Sequence, residues 1–112
     1  RGDCAHFHDG IDIANASGTP ILAAASGVIA FVGFNPYEQT DPAFVVVIGH
    51  AGGVTTQYVH LLPRYADGVS AGAFVNQGQI IGYMGSTGNS TGSHLHFQVH
   101  VNDNPTNPRD LL

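Results

Sequence analysis

Lysine is missing from the 112 residues altogether, and the only basic side chains are Arg1, Arg64 and Arg109. The formal net charge is -5, and no basic run exists to neutralise phosphates. That argues against nucleic acid or an anionic membrane surface as partner. The absence of lysine also removes a lipoyl or biotinyl carrier from consideration, because those small β domains need a lysine for attachment. Cysteine is nearly absent: Cys4 alone can form no internal disulfide, and one thiol cannot build the usual thiolate-rich structural zinc site. Cys4 reads as a small, partly buried thiol, a partner for a cysteine upstream, or a fourth metal ligand beside His6 and His8. No apolar run approaches the ~18 residues of a membrane span. The start, Arg1-Gly2-Asp3, has no initiator methionine or signal peptide, so the chain reads as a piece of something longer.

What is present fits one compact domain over residues 1–112. Apolar residues make up 43% and charged residues 10%, a balance that argues against disorder. Fifteen glycines and six prolines punctuate short runs rich in Val, Ile and Phe, the pattern of many short strands. Strands are predicted at Ile11 to Ile13, Ile21 to Ala24, Val28 to Val32, Phe44 to Ile48 and Val54 to His60. Three more are predicted at Ala73 to Asn76, Ile80 to Met84 and His94 to Val101. Ala51-Gly52-Gly53 reads as a hairpin turn. No amphipathic helical window develops. The expected fold is all-β, an antiparallel two-sheet sandwich or flattened barrel. Asn35 to Pro42 and Gly85 to Ser93 read as exposed loops, the second at the rim of a site. Asn102 to Leu112 is expected to pack irregularly.

The seven histidines carry the chemistry. On a strand, residues two apart share a face, so His94, His96, Gln98 and His100 line one face. Leu95, Phe97, Val99 and Val101 line the other, which reads as core. A second signal is His8-Asp9-Gly10-Ile11-Asp12. In a straight strand, positions four apart lie ~13 Å from each other, slightly too far to share an ion. A bend is needed, and Gly10 can supply it. His8, Asp12 and one histidine of the His94/His96 pair then give two imidazoles and a carboxylate. Three protein ligands plus water is the open composition of a catalytic zinc site, in which the water's pKa falls to about 7. In Tyr58-Val59-His60-Leu61, alternation puts Tyr58 and His60 on one face and Val59 and Leu61 on the other. His60 there reads as a proton acceptor, an oxyanion donor, or a half-buried histidine bonded to backbone.

The chain resembles the lysostaphin-like zinc endopeptidases of the LytM type, the M23 peptidases. The matching stretches are His8 to Ala14, Gly18 to Ala24, Gly27-Val28-Ile29, Tyr58 to Leu61, Gly78 to Gly82, Gly85 to Gly88 and Thr91 to Phe97. The resemblance implies an antiparallel β fold with one Zn²⁺ in a groove between loops. It implies His8, Asp12 and His96 as metal ligands, and His60 and His94 as catalytic residues. It implies peptidoglycan stem or cross-bridge peptides as substrate. It places the protein outside the cell, in the envelope or on a phage particle, with further domains in the full-length chain. Some relatives are non-catalytic modules that activate other wall enzymes, and a phosphocarrier with two facing histidines is a rival on a related fold. Asn35 to Pro42 and Pro63 to Val69 are longer than the common connections and are expected to reshape the groove. Arg1 to Phe7 holds no tyrosine to serve as a donor. His6 reads as a loop residue, His50 as part of the hairpin and His100 as structural.

Overall fold

Branched and aromatic side chains pack well on a pleated surface, while glycine and proline turn the chain between such runs. The computed structural model describes residues 5–6, 10–38, 40–88, 92–102 and 104–106, with side chains described for 13–38, 40–88 and 92–102. The first five strands are β1 (Ala5–His6), β2 (Gly10–Ala14), β3 (Pro20–Leu22), β4 (Gly27–Phe34) and β5 (Phe44–Gly49). They are followed by β6 (Val54–Leu61), β7 (Phe74–Val75), β8 (Ile80–Tyr83), β9 (His94–Val101) and β10 (Asn104–Thr106). A short 3-10 turn at Ala51–Gly53 joins β5 to β6, at the predicted hairpin. No helix among the described residues is long and apolar enough to cross a membrane.

The large antiparallel sheet runs β1-β2-β9-β6-β5-β4-β7, and β3 pairs with β8 in a second, two-stranded sheet. One face of the large sheet supplies Ile29, Val46, Ile48, Tyr58 and Leu95 to the core, and the smaller sheet covers them with Ile21 and Ile81. The chain is therefore all-β with two antiparallel sheets, as expected. The segment from Pro63 to Val69 closes the core with Ala66 and Val69.

Two expectations fail. The tail is not wholly irregular, since β10 pairs with residues 99–101 of β9. β2 pairs only with residues 94–97 of β9, so part of the strand would otherwise lack neighbours for its backbone groups. Asn102, at φ 51°, begins the reversal, and Pro105 is tolerated because an edge strand can spare a donor. His6 is likewise not in a loop. Its backbone lies in β1, opposite Gly10 of β2.

His50 does more than serve the hairpin. Its Nδ1 donates to the Ser26 carbonyl at 2.7 Å. In the neutral ring Nε2 then accepts from the Thr56 hydroxyl at 2.8 Å. Thr56 Oγ1 in turn accepts from the Tyr58 hydroxyl at 3.0 Å, and Tyr58 accepts from the Ala24 N–H at 2.9 Å. The donors and acceptors of this relay are thus matched in one direction, which ties β5 and β6 to the segment after β3. Burial pushes the Tyr58 phenol above the ordinary value of 10.0, and its bonds with Thr56 and Ala24 only partly offset that. Because the folded state favours the protonated phenol, its contribution is full below pH 10 and is lost as pH rises through the raised value. Tyr58→Phe is expected to cost about 1–3 kcal/mol at pH 7 by stranding the Ala24 N–H and disturbing Thr56. It should also flatten the alkaline loss. Urea unfolding at pH 7 and above pH 10 checks both, and equal alkaline slopes in the two proteins would refute the titration.

Candidate metal centre and active site

β9 lies between β2 and β6 and sets the site. Its core side is apolar: Leu95 and Val99 are buried, and Phe97 packs against Tyr58 with ring centroids 5.3 Å apart. Its other side carries His94, His96, Gln98 and His100, as alternation predicts. Asp12 is the register partner of His96, and Ala14 that of His94. Directly opposed residues of an antiparallel pair share a face with Cβ atoms ~4.5–5.5 Å apart. That separation suits one ion held by an imidazole and a carboxylate at about 2.0–2.2 Å each. His8 lies outside the described residues, and Asp12 is described in its backbone alone. Among the residues that are described, no group of three or more His, Cys, Asp or Glu is placed to hold a metal ion. The donor set offered by the Asp12–His96 register fits zinc chemically.

His60 does not share a face with Tyr58, contrary to strand alternation. Val46 pairs with Tyr58 and Phe44 with Leu61, so two steps along β5 match three along β6. The extra residue is a β-bulge. It lets Tyr58 and Leu61, three apart, both enter the core at 1% and 0% exposure. His60 takes up the distortion at φ 70°, a left-handed conformation costing about 1–3 kcal/mol for a residue with a Cβ. The turn brings its ring to 4.8 Å from that of His94 and 6.4 Å from that of His96. Plain alternation would have buried His60 beside Tyr58.

The loop after β8 holds both rings. His60 Nδ1 donates to the Thr87 carbonyl at 2.6 Å, and His94 Nδ1 donates to the Gly92 carbonyl at 3.0 Å. A carbonyl only accepts, so each neutral ring carries its hydrogen on Nδ1 and a lone pair on Nε2. The Thr87 hydroxyl donates to the Leu61 carbonyl at 2.6 Å and accepts from the Phe44 N–H at 2.9 Å. The His94 N–H donates to the Gly85 carbonyl at 3.1 Å, joining the loop's two ends. Gly85 also lets the start of the loop press against the end of β6, since a Cβ there would lie 2.7 Å from the Leu62 nitrogen. Sequence reading placed this loop at a site rim but missed Thr87 as a support. The available signal was a hydroxyl residue set among glycines in Gly85-Ser86-Thr87-Gly88.

A groove of about 500 Å³ leads away from His96 across the polar face of the large sheet. Val45, Val47 and Val59 form its apolar floor, with Gln57 and Gln98 beside them. Phe31 and the β4–β5 connection at Asn35, Pro36 and Tyr37 make the far wall. The long Asn35 to Pro42 segment therefore does shape the groove. Glu38, in the same connection, is turned back to accept from the Ala43 N–H at 3.2 Å. No charged side chain lines the groove among the described residues. His100 lies further along β9, with Nε2 donating to Gln98 Oε1 at 3.4 Å.

The peptidase family M23 model matches residues 6–108. The chain is 44% identical over 102 residues to the DD-carboxypeptidase/endopeptidase Mpg of Neisseria meningitidis, covering 91% of this chain and 22% of that protein. It is 40% identical over 104 residues to the peptidoglycan DD-endopeptidase ShyC of Vibrio cholerae, covering 93% of this chain and 22% of that protein. Among solved structures, a zinc-containing peptidase from Vibrio cholerae superposes with a TM-score of 0.73 at 36% identity. That match covers 88% of this chain and 28% of the other. The chain thus spans little more than a fifth of the curated relatives' length. The match takes in nearly every strand described above, including β6, β9 and the loop after β8, and the chain belongs to peptidase family M23.

Proposed function

We propose that this domain is a zinc-dependent endopeptidase that hydrolyses peptide bonds in the stem or cross-bridge peptides of peptidoglycan. The observation that carries the reading is the convergence on one sheet face. Asp12 is in register with His96, and the bulged His60 lies beside His94, each of the pair with its Nδ1–H engaged by a loop carbonyl. The names of the relatives support the substrate class, and the zinc-containing neighbour supports the metal.

His8, Asp12 and His96 are the residues that would hold Zn²⁺. When bound there, zinc supplies Lewis-acid polarisation of the scissile carbonyl and a water activated near neutral pH. The protein's own share is proton handling and charge stabilisation. One of His60 and His94 accepts the water's proton at Nε2, and protonated there it can return a proton to the leaving amine. The other, in its protonated form with a second hydrogen on Nε2, donates a hydrogen bond from that atom to the developing oxyanion. Their Nδ1 hydrogens stay on Thr87 and Gly92 throughout, so neither ring has to rotate between steps. The valine floor of the groove excludes water beside the reacting bond. In a cell, such an enzyme works outside the cytoplasm, in the envelope or on a phage particle, with further domains to bring it to the wall.

The test is digestion of defined cell walls by the purified domain, followed by mass spectrometry of the released muropeptides. New peptide termini are expected, lost with a chelator and restored by zinc. Their mass also shows whether a glycyl or a D-alanyl bond is cut. Intact walls after treatment with zinc-loaded protein would overturn the reading and favour a wall-binding module.

A further inference from the structure

The groove beside His96 crosses β6, β5 and β4. Three strand spacings amount to about 14 Å, the length of roughly four extended residues. Its chemistry is narrow: a valine floor, a far wall with two aromatic rings and three amides, with no charged side chain among the described residues; the Asn35 amide oxygen already accepts from the Tyr37 N–H at 3.0 Å. Gln57 and Gln98 are direct register partners across β6 and β9, so their amides stand on the same face one strand spacing apart. Gln98 uses Oε1 to accept from His100, which leaves its NH₂ hydrogens for another acceptor. The half-buried Gln57 amide bonds to no other described residue. A peptide link lying across such a pair presents one N–H and one C=O, matching one amide oxygen and one NH₂ group.

We propose that Gln57 and Gln98 hold a backbone peptide unit of the substrate, and that this arm of the groove accepts a stretch of small, uncharged residues. It rests on the reading of the site as a peptidase. The chemical class is glycyl or alanyl peptide, because methyl groups or hydrogens fit against the valine floor. A carboxylate or ammonium group placed there would lose its water with no partner in exchange. The charged diamino residue of a stem peptide therefore lies on the other side of the metal ligands. Tyr37, 92% exposed at the rim, is open to contact with the incoming chain. Gln57 and Gln98 are positioning residues, since they hold the substrate without touching the reacting atoms.

Two readouts test this. The first is NMR of the side-chain amides while the domain, with and without zinc, is titrated with N-acetyl-tetraglycine amide. A peptide carrying glutamate or lysine at its second position is the comparison. The Gln57 and Gln98 NH₂ signals should shift, and the neutral peptide should bind at least about tenfold more tightly. Gln57→Ala and Gln98→Ala should each weaken that binding about fivefold to tenfold, the worth of one hydrogen bond. The second readout is muropeptide hydrolysis, in which both variants should raise KM with kcat nearly unchanged, as for binding shared by ground and transition states. Gln57→Glu or Gln98→Glu, of the same shape, replaces the alanine variant at that position if it fails to fold and should weaken binding in the same way. Equal binding of neutral and charged peptides, or an unchanged KM in the variants while walls are still cleaved, overturns the proposal and leaves the peptidase reading standing. The predicted binding pattern in a protein that cleaves no wall has the opposite meaning, supporting the groove assignment and ending the peptidase one.

Discussion

Asp12→Ala and His96→Ala proteins are expected to lose zinc and, with it, all measurable wall hydrolysis. Zinc held by protein side chains in a structural site is worth about 10–16 kcal/mol, so one ligand in four accounts for about 3–4 kcal/mol, or about 10²–10³-fold in affinity. Metal analysis after dialysis against a weak chelator, or competition with a chromophoric chelator, reads this directly. The two positions should behave alike because they are register partners on β2 and β9, and the loss of either leaves the other without its opposite number. Leu95, one position away but buried on the core face, provides the contrast. Leu95→Ala should cost about 2–5 kcal/mol of stability and leave the zinc stoichiometry of the folded fraction at one. Full zinc content in Asp12→Ala would remove the carboxylate from the ligand set and return the choice of ligands to the histidines alone.

Much of this site can be read from residue order. The alternation of His94 to Val101 predicted β9 residue for residue, and it predicted which side carries the imidazoles. The reason is physical: β9 is paired on both edges, so a strict period of two is enforced along its whole length. The same rule misplaced His60, because a bulge shifts the period by one and has no composition of its own. Its position depends on Tyr58 and Leu61 both finding room in the core, a tertiary fact no local window holds. Thr87 went unread for a related reason. Its three hydrogen bonds reach His60, Leu61 and Phe44, all distant in sequence, while its immediate neighbours suggest only a loop. β10 was missed because Pro105 reads as a strand breaker, and its pairing exists only where β2 stops short on β9. Choosing His96 over His94 as the metal ligand required the family resemblance. The structure adds that His96 is opposite Asp12, whereas His94 is opposite Ala14.

The second large effect concerns His60. His60→Ala is expected to lower kcat on muropeptides about 10²–10⁴-fold, the usual worth of one acid–base group. The bound zinc should remain at one per chain, since His60 is not among the ligands proposed. Alanine keeps the Cβ that makes the left-handed turn costly, so the bulge's strain remains, and loss of the ring's bond to the Thr87 carbonyl should lower stability to urea by about 0.5–1.5 kcal/mol. Thr87→Val separates position from chemistry. It leaves the Thr87 carbonyl but takes the hydroxyl from Leu61 and Phe44, so kcat should fall while His60 is still present. Thr87→Ser keeps the hydroxyl and should restore most of the rate. An unchanged kcat in His60→Ala would show that the left-handed residue serves the strand and not the reaction.

The carbonyls of Thr87 and Gly92 that engage the two imidazoles belong to the main chain, and no exchange of side chains can delete them. The exposed Ser86 is consequently open to exchange without touching either carbonyl, whereas Gly88 is not, since at φ 79° an added Cβ would lie 2.7 Å from that of Ala43. Directed evolution of specificity in this domain has a natural place to start at Ser86, with Gly85, Thr87, Gly88 and Gly92 left alone.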